Sequence, residues 1–265
     1  KAVTVVAKVV PLLVIVGETA SGKSALSMSL ARKFNGEIIC ADSRTIYKDM
    51  DIGTAKPNAE DRAEIKHYLL DIIEPGQRYS ASQFKEDALK AISEITKRGK
   101  LSILVGGTGL YIDAVIFDYQ FNRGNIPKNP DNPRHLAAGS YKRDQKLRPN
   151  TLVLGLQCNR EVLNNTIERR IEQMLESGFV DETKALISKY GVDNEVMFSI
   201  GYKTMAKYLD GEISLNTAKT ELAKGDRSLA KRQRTWFKRN KSIHWVTTEQ
   251  VNELVEKFLL KNSGM

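Results

Sequence analysis

Short runs of aliphatic residues alternate along the chain with segments whose apolar residues recur every three or four positions. An uninterrupted apolar run of four to eight residues predicts a strand buried on both faces, and the wider spacing predicts an amphipathic helix. The predicted strands lie at 12–16, 37–41, 68–73, 101–105, 151–156 and 243–246. Because such strands alternate with helices, we predict a parallel sheet of about five strands with helices on both faces.

Segments with helical periodicity follow the first strand and fill most of the chain beyond residue 160. Leu26, Leu30 and Phe34 share one face of the first predicted helix. Ser80 is a typical N-cap for another. A third helix covers 160–177, and the apolar positions assigned to its buried stripe are Val162, Ile167, Ile171, Met174 and Leu175. Further helices are predicted at 180–189, 202–209, 215–239 and after 246.

The composition is typical of a globular protein. Of the 265 residues, 41% are hydrophobic and 28% are charged, close to the average for folded domains. The longest apolar run, residues 9–16, is far shorter than the roughly 20 residues of a membrane span, so we predict no membrane association. The two cysteines, Cys40 and Cys158, are too few for a disulfide framework, and they indicate a reducing compartment such as the cytoplasm.

Positive charge is concentrated near the end of the chain. There are 41 Lys and Arg residues against 32 Asp and Glu, a net charge of +9 that favours a polyanionic partner. Residues 223–241 contain eight Lys or Arg and one acidic residue, Asp226. Leu229 and Trp236 are seven positions apart, so we expect them on one buried face with several cations outside. Two interpretations stay open here: a solvated basic helix and a surface that binds RNA phosphates.

The most specific motif is a glycine-rich loop between the first strand and the first helix. Residues 17–24 read GETASGKS and match G-x-x-x-x-G-K-[ST]. Its glycines let backbone N–H groups surround a phosphate at a helix N-terminus, Lys23 adds positive charge and Ser24 would hold Mg²⁺. An ordinary glycine turn is the alternative, but the strand–loop–helix context favours a polyphosphate site. The predicted fold class is α/β, a P-loop NTPase-like parallel sheet flanked by helices with a helical C-terminal portion.

The acidic residue that helps hydrolytic P-loop enzymes bind Mg²⁺ is not found at its usual place. The strand at 101–105 ends in Gly106-Gly107-Thr108-Gly109 instead of a carboxylate. Asp42 follows the second strand, and in a parallel sheet it would share an edge with the phosphate loop. Position alone leaves three roles open for Asp42: coordinating a metal ion, accepting a proton from a substrate, or capping a turn.

Six segments together resemble the bacterial tRNA dimethylallyltransferase family. They are GETASGKS (17–24), ADSRTIYKDMDIGTAKP (41–57), HYLLDIIEPGQRYSASQFKEDA (67–88), LVGGTGLYIDA (104–114), SIGYK (199–203) and AKRQRTWFKRNKSIHW (230–245). The resemblance extends in order over most of residues 12–246. It implies transfer of a dimethylallyl group from dimethylallyl diphosphate to the exocyclic amine of the adenosine just 3′ of the anticodon. The implied enzyme is a cytoplasmic monomer that acts on the tRNA anticodon arm with Mg²⁺.

The resemblance also implies roles for individual residues. Asp42 would be the general base that takes a proton from the adenine amine, and Thr108 would orient that reaction. Diphosphate binding would fall to the loop and to one arginine of a later helix: Gly17, Thr19, Ala20, Ser21, Gly22, Lys23, Ser24 and Arg170. Apart from the resemblance, Arg170 would be a solvated helix residue paired with Glu172 or Glu176.

Residues from several segments would bind tRNA if the resemblance holds. They are Asp42, Ser43, Arg44, Thr45, Thr108, Ser199, Gly201, Tyr202, Lys203, Lys231, Arg232 and Arg234. Thr45 stands where the family has a glutamine, which puts a side-chain amide contact to the target base in question. The family usually carries a helical insertion after the Gly-Gly-Thr-Gly segment. Here the resemblance implies a first part of the P-loop core at 1–121, a shortened or incomplete insertion at 122–150, and a return to the core with a basic helical portion at 151–265.

Other function classes remain open at this stage. A phosphate loop does not distinguish ATP from a prenyl diphosphate, so a small-molecule or nucleotide kinase is the first alternative. A related adenylate isopentenyltransferase would act on a single nucleotide and would have no use for a long basic surface. A non-catalytic RNA-binding module is the third class, and the intact phosphate loop argues against it.

Overall fold

A six-stranded parallel sheet forms the centre of the molecule. The computed structural model describes residues 10–121, 141–142 and 146–263. The strands of the sheet are β1 (Leu12–Val16), β2 (Gly36–Cys40), β3 (His67–Tyr68), β4 (Leu101–Gly106), β7 (Thr151–Leu156) and β8 (Ile243–Val246). Their order is β3-β2-β4-β1-β7-β8, and every pair in this sheet is parallel, as predicted. A separate antiparallel pair joins β5 (Gln120–Phe121) to β6 (Tyr141–Lys142).

Nine α-helices lie within the described residues. They are α1 (Lys23–Lys33), α2 (Ala59–Glu64), α3 (Ala81–Lys97), α4 (Gly109–Ile116), α5 (Arg160–Glu176), α6 (Phe179–Tyr190), α7 (Ile200–Leu209), α8 (Leu215–Phe237) and α9 (Thr248–Ser263). A 3₁₀ turn at Glu195–Phe198 precedes α7. The predicted cap of α3 is confirmed, because Ser80 and Gln83 form a reciprocal capping box. Among the helices described, none combines the length and apolar character that a membrane crossing needs.

Strand β1 is fully buried because both of its faces are covered by helices. Side chains alternate between the two faces of a strand, and here Leu12, Val14 and Val16 pack with α3 and α4 while Leu13 and Ile15 pack with α1 and α9. This explains the uninterrupted aliphatic run in the sequence. The position of β1 between β4 and β7 puts the phosphate loop in the middle of the sheet's C-terminal edge.

The predicted helical C-terminal portion is formed by α5 to α8. These helices bury a third apolar cluster that includes Leu163, Phe179, Met205 and Leu222. The insertion or linker predicted at 122–150 falls largely outside the described residues, so the proposed division into segments stays a prediction.

Two local expectations were wrong. The strand predicted at 68–73 is interrupted: it pairs with β2 at Tyr68 and again only at Ile73, in an isolated parallel bridge to Tyr47, because Leu69 and Asp71 have left-handed backbone (φ 63° and 53°). Asp71 leaves the sheet to bind Lys56 and Arg62 through its carboxylate. Val162, expected on the buried stripe of α5, is 56% exposed. The neighbouring Leu163 is buried in its place, because one residue along a helix turns the side chain by about 100°.

Candidate active site

The phosphate loop joins β1 to the N-terminus of α1. Ala20 and Gly22 have left-handed backbone (φ 61° and 89°), and Gly22 is the N-cap of α1. The loop folds back so that the Lys23 ammonium donates to the carbonyl oxygen of Glu18 at 2.5 Å. Ser24 lies exposed in the first turn of α1. Free N–H groups at a helix N-terminus together with a lysine form a site for an anion.

The surroundings of Lys23 change its proton affinity. The pKa of the Lys23 ammonium is lowered to about 8, mainly by burial and in part by the nearby positive charge of Arg170. The negative charges of Asp42 and Glu18 act in the opposite direction. Lys23 therefore lies within electrostatic reach of both the arginine of α5 and the carboxylate that follows β2. These two groups are the sequence-predicted diphosphate ligand and the sequence-predicted base.

Arg170 reaches from α5 to the phosphate loop. One guanidinium nitrogen donates to the Thr19 hydroxyl at 2.9 Å, and the other donates to Asp226 of α8 at 2.6 Å. The alternative pairing with Glu172 or Glu176 is wrong, because the helix turns Arg170 inward and Glu172 binds Lys219 instead. Within the described part of the chain, Arg170 Nε and the Ser21 hydroxyl are buried without a hydrogen-bond partner. Buried polar groups are normally bonded, so both are suited to bind an incoming anion.

Asp42 lies in the loop that leaves β2 at the same edge of the sheet. Its Oδ1 accepts a hydrogen bond from the backbone N–H of Arg44 at 2.8 Å, which caps the turn. Asp42 Oδ2 has no hydrogen bond to a described residue and stays available to a substrate. The turn-capping role and a catalytic role are thus compatible, because each uses a different oxygen.

Thr108 connects this loop to β4. Its hydroxyl oxygen accepts the backbone N–H of Ser43 at 3.0 Å, and its own N–H donates to the carbonyl of Ala41 at 3.2 Å. Thr108 is the N-cap residue of α4, but its side chain makes no capping bond to that helix. Its hydroxyl is thus used to fix the backbone next to Asp42.

The glycines after β4 are explained by the close approach of α8. A Cβ atom at Gly107 would lie 2.1 Å from Gln233 Nε2, and one at Gly109 would lie 2.1 Å from Trp236 Cδ1. Trp236 also donates its indole N–H to Asp113 at 2.9 Å. The Gly-Gly-Thr-Gly segment therefore replaces the expected carboxylate with a surface against which α8 packs.

Gln233 was missed by the sequence analysis. Its side chain is 8% exposed, its Oε1 accepts the N–H of Thr19 at 2.7 Å, and its Nε2 donates to the carbonyl of Gly107 at 3.2 Å. A signal was present in the sequence, because Ala230, Gln233 and Phe237 follow helical spacing on the buried face of α8. An uncharged amide at a buried position within a basic run indicates a polar contact inside the protein.

The basic helix α8 has an inner and an outer set of cations. Arg234, predicted to bind tRNA, makes a two-pronged ion pair with Glu18 of the phosphate loop at 2.5 and 2.7 Å. Arg227 pairs with Glu168 at 3.3 Å. The other cations of this segment are exposed and make no ion pair with a described residue: Lys224, Lys231, Arg232, Lys238, Arg239 and Lys241. We call these six residues the outer basic face.

One detail of the basic helix was wrong. Leu229, expected to be buried with Trp236, is 36% exposed. The buried face passes instead through Ala230, Gln233 and Phe237, because this line of residues meets the phosphate loop and the helical cluster. Leu229 is therefore an exposed apolar residue in the same helix as the exposed Lys224, Lys231 and Arg232.

The remaining residues predicted to bind tRNA fall into accessible and buried groups. Arg44 and Lys203 are exposed, and Ser43 and Ser199 are partly exposed. Thr45 is 6% exposed, and its hydroxyl points to the carbonyl of Asp42 at 3.5 Å. In this structure, therefore, the Thr45 side chain supports the loop and does not face a substrate.

Tyr202 has a structural role that the sequence analysis did not foresee. Its side chain is 1% exposed and donates to Glu182 at 2.7 Å. Glu182 in turn accepts the backbone N–H groups of Asp51, Ile52 and Gly53. Burial raises the pKa of the Tyr202 hydroxyl, and the adjacent Glu182 raises it further. The SIGYK segment thus fixes the loop that follows Asp42, and the Tyr202 side chain is unavailable for contact with RNA.

Comparison with known proteins gives consistent matches over nearly the whole chain. The family model described as IPP transferase matches residues 45–139 and 132–240. The tRNA dimethylallyltransferase of Macrococcus caseolyticus is 38% identical over 295 residues, which cover 94% of this chain and 95% of that protein. The aligned length of 295 exceeds the 265 residues of this chain, so the alignment includes residues of the relative that have no counterpart here.

Solved structures agree with these sequence matches. The full-length tRNA isopentenylpyrophosphate transferase of Bacillus halodurans has a TM-score of 0.80 and 33% identity, covering 96% of this chain and 98% of that one. A eukaryotic dimethylallyltransferase acting on tRNA has a TM-score of 0.76 and 25% identity, covering 90% and 74%. The resemblance seen in the sequence is confirmed, and the chain belongs to the IPP transferase family.

Proposed function

We propose that this chain is a tRNA dimethylallyltransferase. In the proposed reaction the exocyclic nitrogen of an adenosine in tRNA forms a bond to C1 of dimethylallyl diphosphate. The C1–O bond breaks, diphosphate leaves, and a proton of the amine passes to the enzyme. One observation carries the proposal: Asp42 and the phosphate loop lie at one edge of the sheet, close enough for the charge of Asp42 to act on Lys23.

The donor side is supported by the groups that face the phosphate loop. Lys23, the buried Ser21 hydroxyl and Arg170 Nε can each donate a hydrogen bond to a diphosphate oxygen. Negative charge grows on the diphosphate as the C1–O bond breaks, so donors fixed in advance stabilise the transition state more than the ground state. Thr19 contributes indirectly, because its N–H and its hydroxyl are already bonded to Gln233 and Arg170.

The acceptor side depends on Asp42. An aryl amine is a poor nucleophile because its lone pair is shared with the ring, and removal of a proton as the C–N bond forms lowers the barrier. Asp42 Oδ2 is the oxygen available for that proton, since Oδ1 is used by Arg44. Thr108 would keep the Asp42 loop in place through Ser43.

The residues of the site suit a Mg²⁺ ion that is held mainly by the phosphates of the substrate. The described residues contain no cluster of three or more His, Cys, Asp or Glu side chains that could hold a metal. Mg²⁺ is commonly held by one or two protein groups together with substrate phosphates, and the exposed Ser24 hydroxyl is suited to that role. When bound, the ion would neutralise charge on the diphosphate.

The outer basic face and the exposed Arg44 would contact the tRNA anticodon arm. RNA phosphates attract such unpaired cations, and a mononucleotide would use few of them. As the target base, we propose the adenosine just 3′ of the anticodon. That the enzyme is a cytoplasmic monomer stays a prediction from the sequence.

An experiment that compares two labelled donors tests the proposal. The protein is incubated with tRNA and either dimethylallyl diphosphate labelled in the allyl group or ATP labelled in the γ-phosphate. Label from the prenyl donor should enter tRNA, with release of diphosphate. Label that enters an acceptor only from ATP would establish a kinase instead, and tRNA binding without turnover of either donor would indicate an RNA-binding module.

A further inference from the structure

We propose that Gln233 is a positioning residue that sets the spacing between the donor loop and the loop carrying the base. This inference rests on the proposed function and extends it to a residue outside the phosphate loop. The side-chain amide of Gln233 bonds at one end to Thr19 and at the other to Gly107. The first partner belongs to the phosphate loop, and the second directly precedes Thr108.

The bridge continues from Gly107 to the base. Thr108 binds the backbone of Ala41 and Ser43, the two neighbours of Asp42. A chain of hydrogen bonds therefore runs from Thr19 through Gln233 and the Gly107–Thr108 segment to the loop of Asp42. The Gln233 side chain thus joins Thr19, which is 214 positions away in the sequence, to Gly107, which is 126 positions away.

The chemistry of the amide group matches both partners. Thr19 offers an N–H donor and Gly107 offers a carbonyl acceptor, so the bridging group must accept at one end and donate at the other. Among side chains of this length, only glutamine does both in a neutral form at every pH. Gly107 also lacks the Cβ atom that would collide with Gln233 Nε2, so the two residues fit each other sterically.

Neighbouring residues of α8 hold Gln233 in place. Arg234 binds Glu18 of the phosphate loop, and Trp236 binds Asp113 of α4. Each of these contacts fixes α8 to one side of the site, whereas Gln233 touches both sides. Loss of the Gln233 amide should let the phosphate loop and the Asp42 loop move slightly apart while each loop keeps its own structure. A misplacement of about 1 Å at a reacting centre can cost on the order of 10²-fold in rate.

Two variants test the inference in the full-length protein. Gln233→Met has a similar shape and cannot form either bond. Gln233→Glu keeps an acceptor for Thr19, but its ionised carboxylate cannot donate to Gly107. We expect the single-turnover rate of transfer from dimethylallyl diphosphate to tRNA, at saturating concentrations of both, to fall about 10- to 100-fold in Gln233→Met. The dissociation constant of the donor should change less than about three-fold, because Lys23, Ser21 and Arg170 are intact.

The pH profile separates positioning from general structural damage. A protonated carboxyl group can donate to Gly107 while its carbonyl oxygen accepts from Thr19. Position 233 is 8% exposed, and burial raises the pKa of a carboxyl group, so the rate of Gln233→Glu relative to the wild type should recover as the pH is lowered from 8 to 6. The relative rate of Gln233→Met should stay flat over the same range.

Leu222→Ala is the matched control, because Leu222 is buried on the same helix, α8, about three turns before Gln233, and lies in the helical cluster. It should lower the melting temperature and leave the single-turnover rate unchanged. If Gln233→Met is folded and transfers within three-fold of the wild-type rate, or if both Gln233 variants have flat relative pH profiles, the inference is overturned. If the wild-type protein itself transfers no dimethylallyl group, the proposed function fails and the inference fails with it.

Discussion

Asp42 shows how one side chain can cap a turn and still leave an oxygen available to a substrate. Oδ1 fixes the turn through Arg44, and this bond orients the carboxylate so that Oδ2 remains available. The residues that surround it come from loops far apart in sequence, since Thr108 contacts Ser43 across 65 positions. In the proposed reaction, a carboxylate positioned this way would need no rearrangement when the acceptor arrives, which would favour catalysis.

The Asp42→Asn variant tests the role of the base. The amide oxygen can still accept from Arg44, so the turn should persist, but the amide cannot take a proton. Turnover should fall by about 10² to 10⁴ while the affinities for donor and tRNA change little. Steady-state rates and donor titrations measure both effects. Unchanged single-turnover chemistry with loss of Mg²⁺-dependent donor binding would make Asp42 a metal ligand instead.

Arg170 gives a second prediction at this scale. Arg170→Met removes a charge-assisted hydrogen bond to the diphosphate, a type of bond worth about 1.5–3 kcal/mol, so KM for the donor should rise about 10- to 100-fold. Arg169→Met is the control, since Arg169 is exposed on the same helix. Equal donor KM values for the two variants would show that Arg170 only binds Thr19 and Asp226.

Single residues were predictable where the pattern was local. The phosphate loop and Asp42 lie in short contiguous motifs, so the sequence alone located them. Gln233 was missed, and Arg234 was assigned to tRNA and not to Glu18 of the phosphate loop, because these contacts span more than 200 positions. Local spacing carries no information about which loop an α8 side chain meets.

At the scale of elements, α8 has an inner face that contacts the phosphate loop and an outer face of exposed cations. Gln233 and Arg234 bind the phosphate loop on its inner face, and the adjacent Lys231 and Arg232 are exposed. The basic run in the sequence therefore overstated the number of unpaired cations, because Arg227 pairs with Glu168 at the surface and Arg234 pairs with the buried Glu18.

Removing charge from the outer basic face should weaken tRNA binding. The double variant Lys231→Ala, Arg232→Ala leaves the Glu18–Arg234 pair intact, so donor affinity should be unchanged. The slope of log K against log salt should flatten by about 0.7–0.9 for each RNA phosphate that the variant no longer neutralises. Lys90→Ala, Lys97→Ala removes the same charge from exposed positions on α3 and is the control. The same salt slope in both double variants would refute this RNA surface.

A buried carboxylate links β2 to the connection between α3 and β4. Burial of Glu37 acts to raise its pKa, but hydrogen bonds from Arg98, Lys100 and Tyr68 outweigh burial and hold the pKa at about 2. The side chain is 3% exposed. Because the folded-state pKa is below the unfolded value, this contribution to stability is complete above about pH 4.5 and is lost as the pH falls toward 2.

The Glu37→Gln variant should therefore be less stable than the wild type at pH 7, by about 1–3 kcal/mol. The difference should shrink when urea unfolding is repeated at about pH 3.5, because the Glu37 carboxyl is then mostly protonated in the unfolded state and must lose its proton on folding. A difference that is the same at both pH values would show that packing, and not the charge of Glu37, is responsible.

Elements were predictable where periodicity was long and regular. Strand β1, with helices α3 and α5, appeared within a residue or two of the expected positions. The segment 68–73 was misjudged because its apolar run is interrupted by Asp71, whose carboxylate binds Lys56 and Arg62. Helix α2, with six residues, was too short to give a periodic signal.

At the scale of the whole molecule, strand order assembles the site. With β1 between β4 and β7, and β2 beyond β4, the phosphate loop, the Asp42 loop and the Gly-Gly-Thr-Gly segment all leave the sheet at one edge. Helix α8 then closes this edge from the helical portion. The parallel fold was predictable from the alternation of strands and helices, but the closure by α8 was not, because it depends on tertiary packing.

The most direct test compares two acceptors with labelled dimethylallyl diphosphate. A tRNA anticodon stem-loop with adenosine just 3′ of the anticodon meets both the Asp42 site and the outer basic face, whereas free AMP meets only the first. We expect kcat/KM to be far higher for the stem-loop, with the label on the exocyclic nitrogen of that adenosine. Equal catalytic efficiency on AMP and on the stem-loop would contradict a tRNA-modifying function.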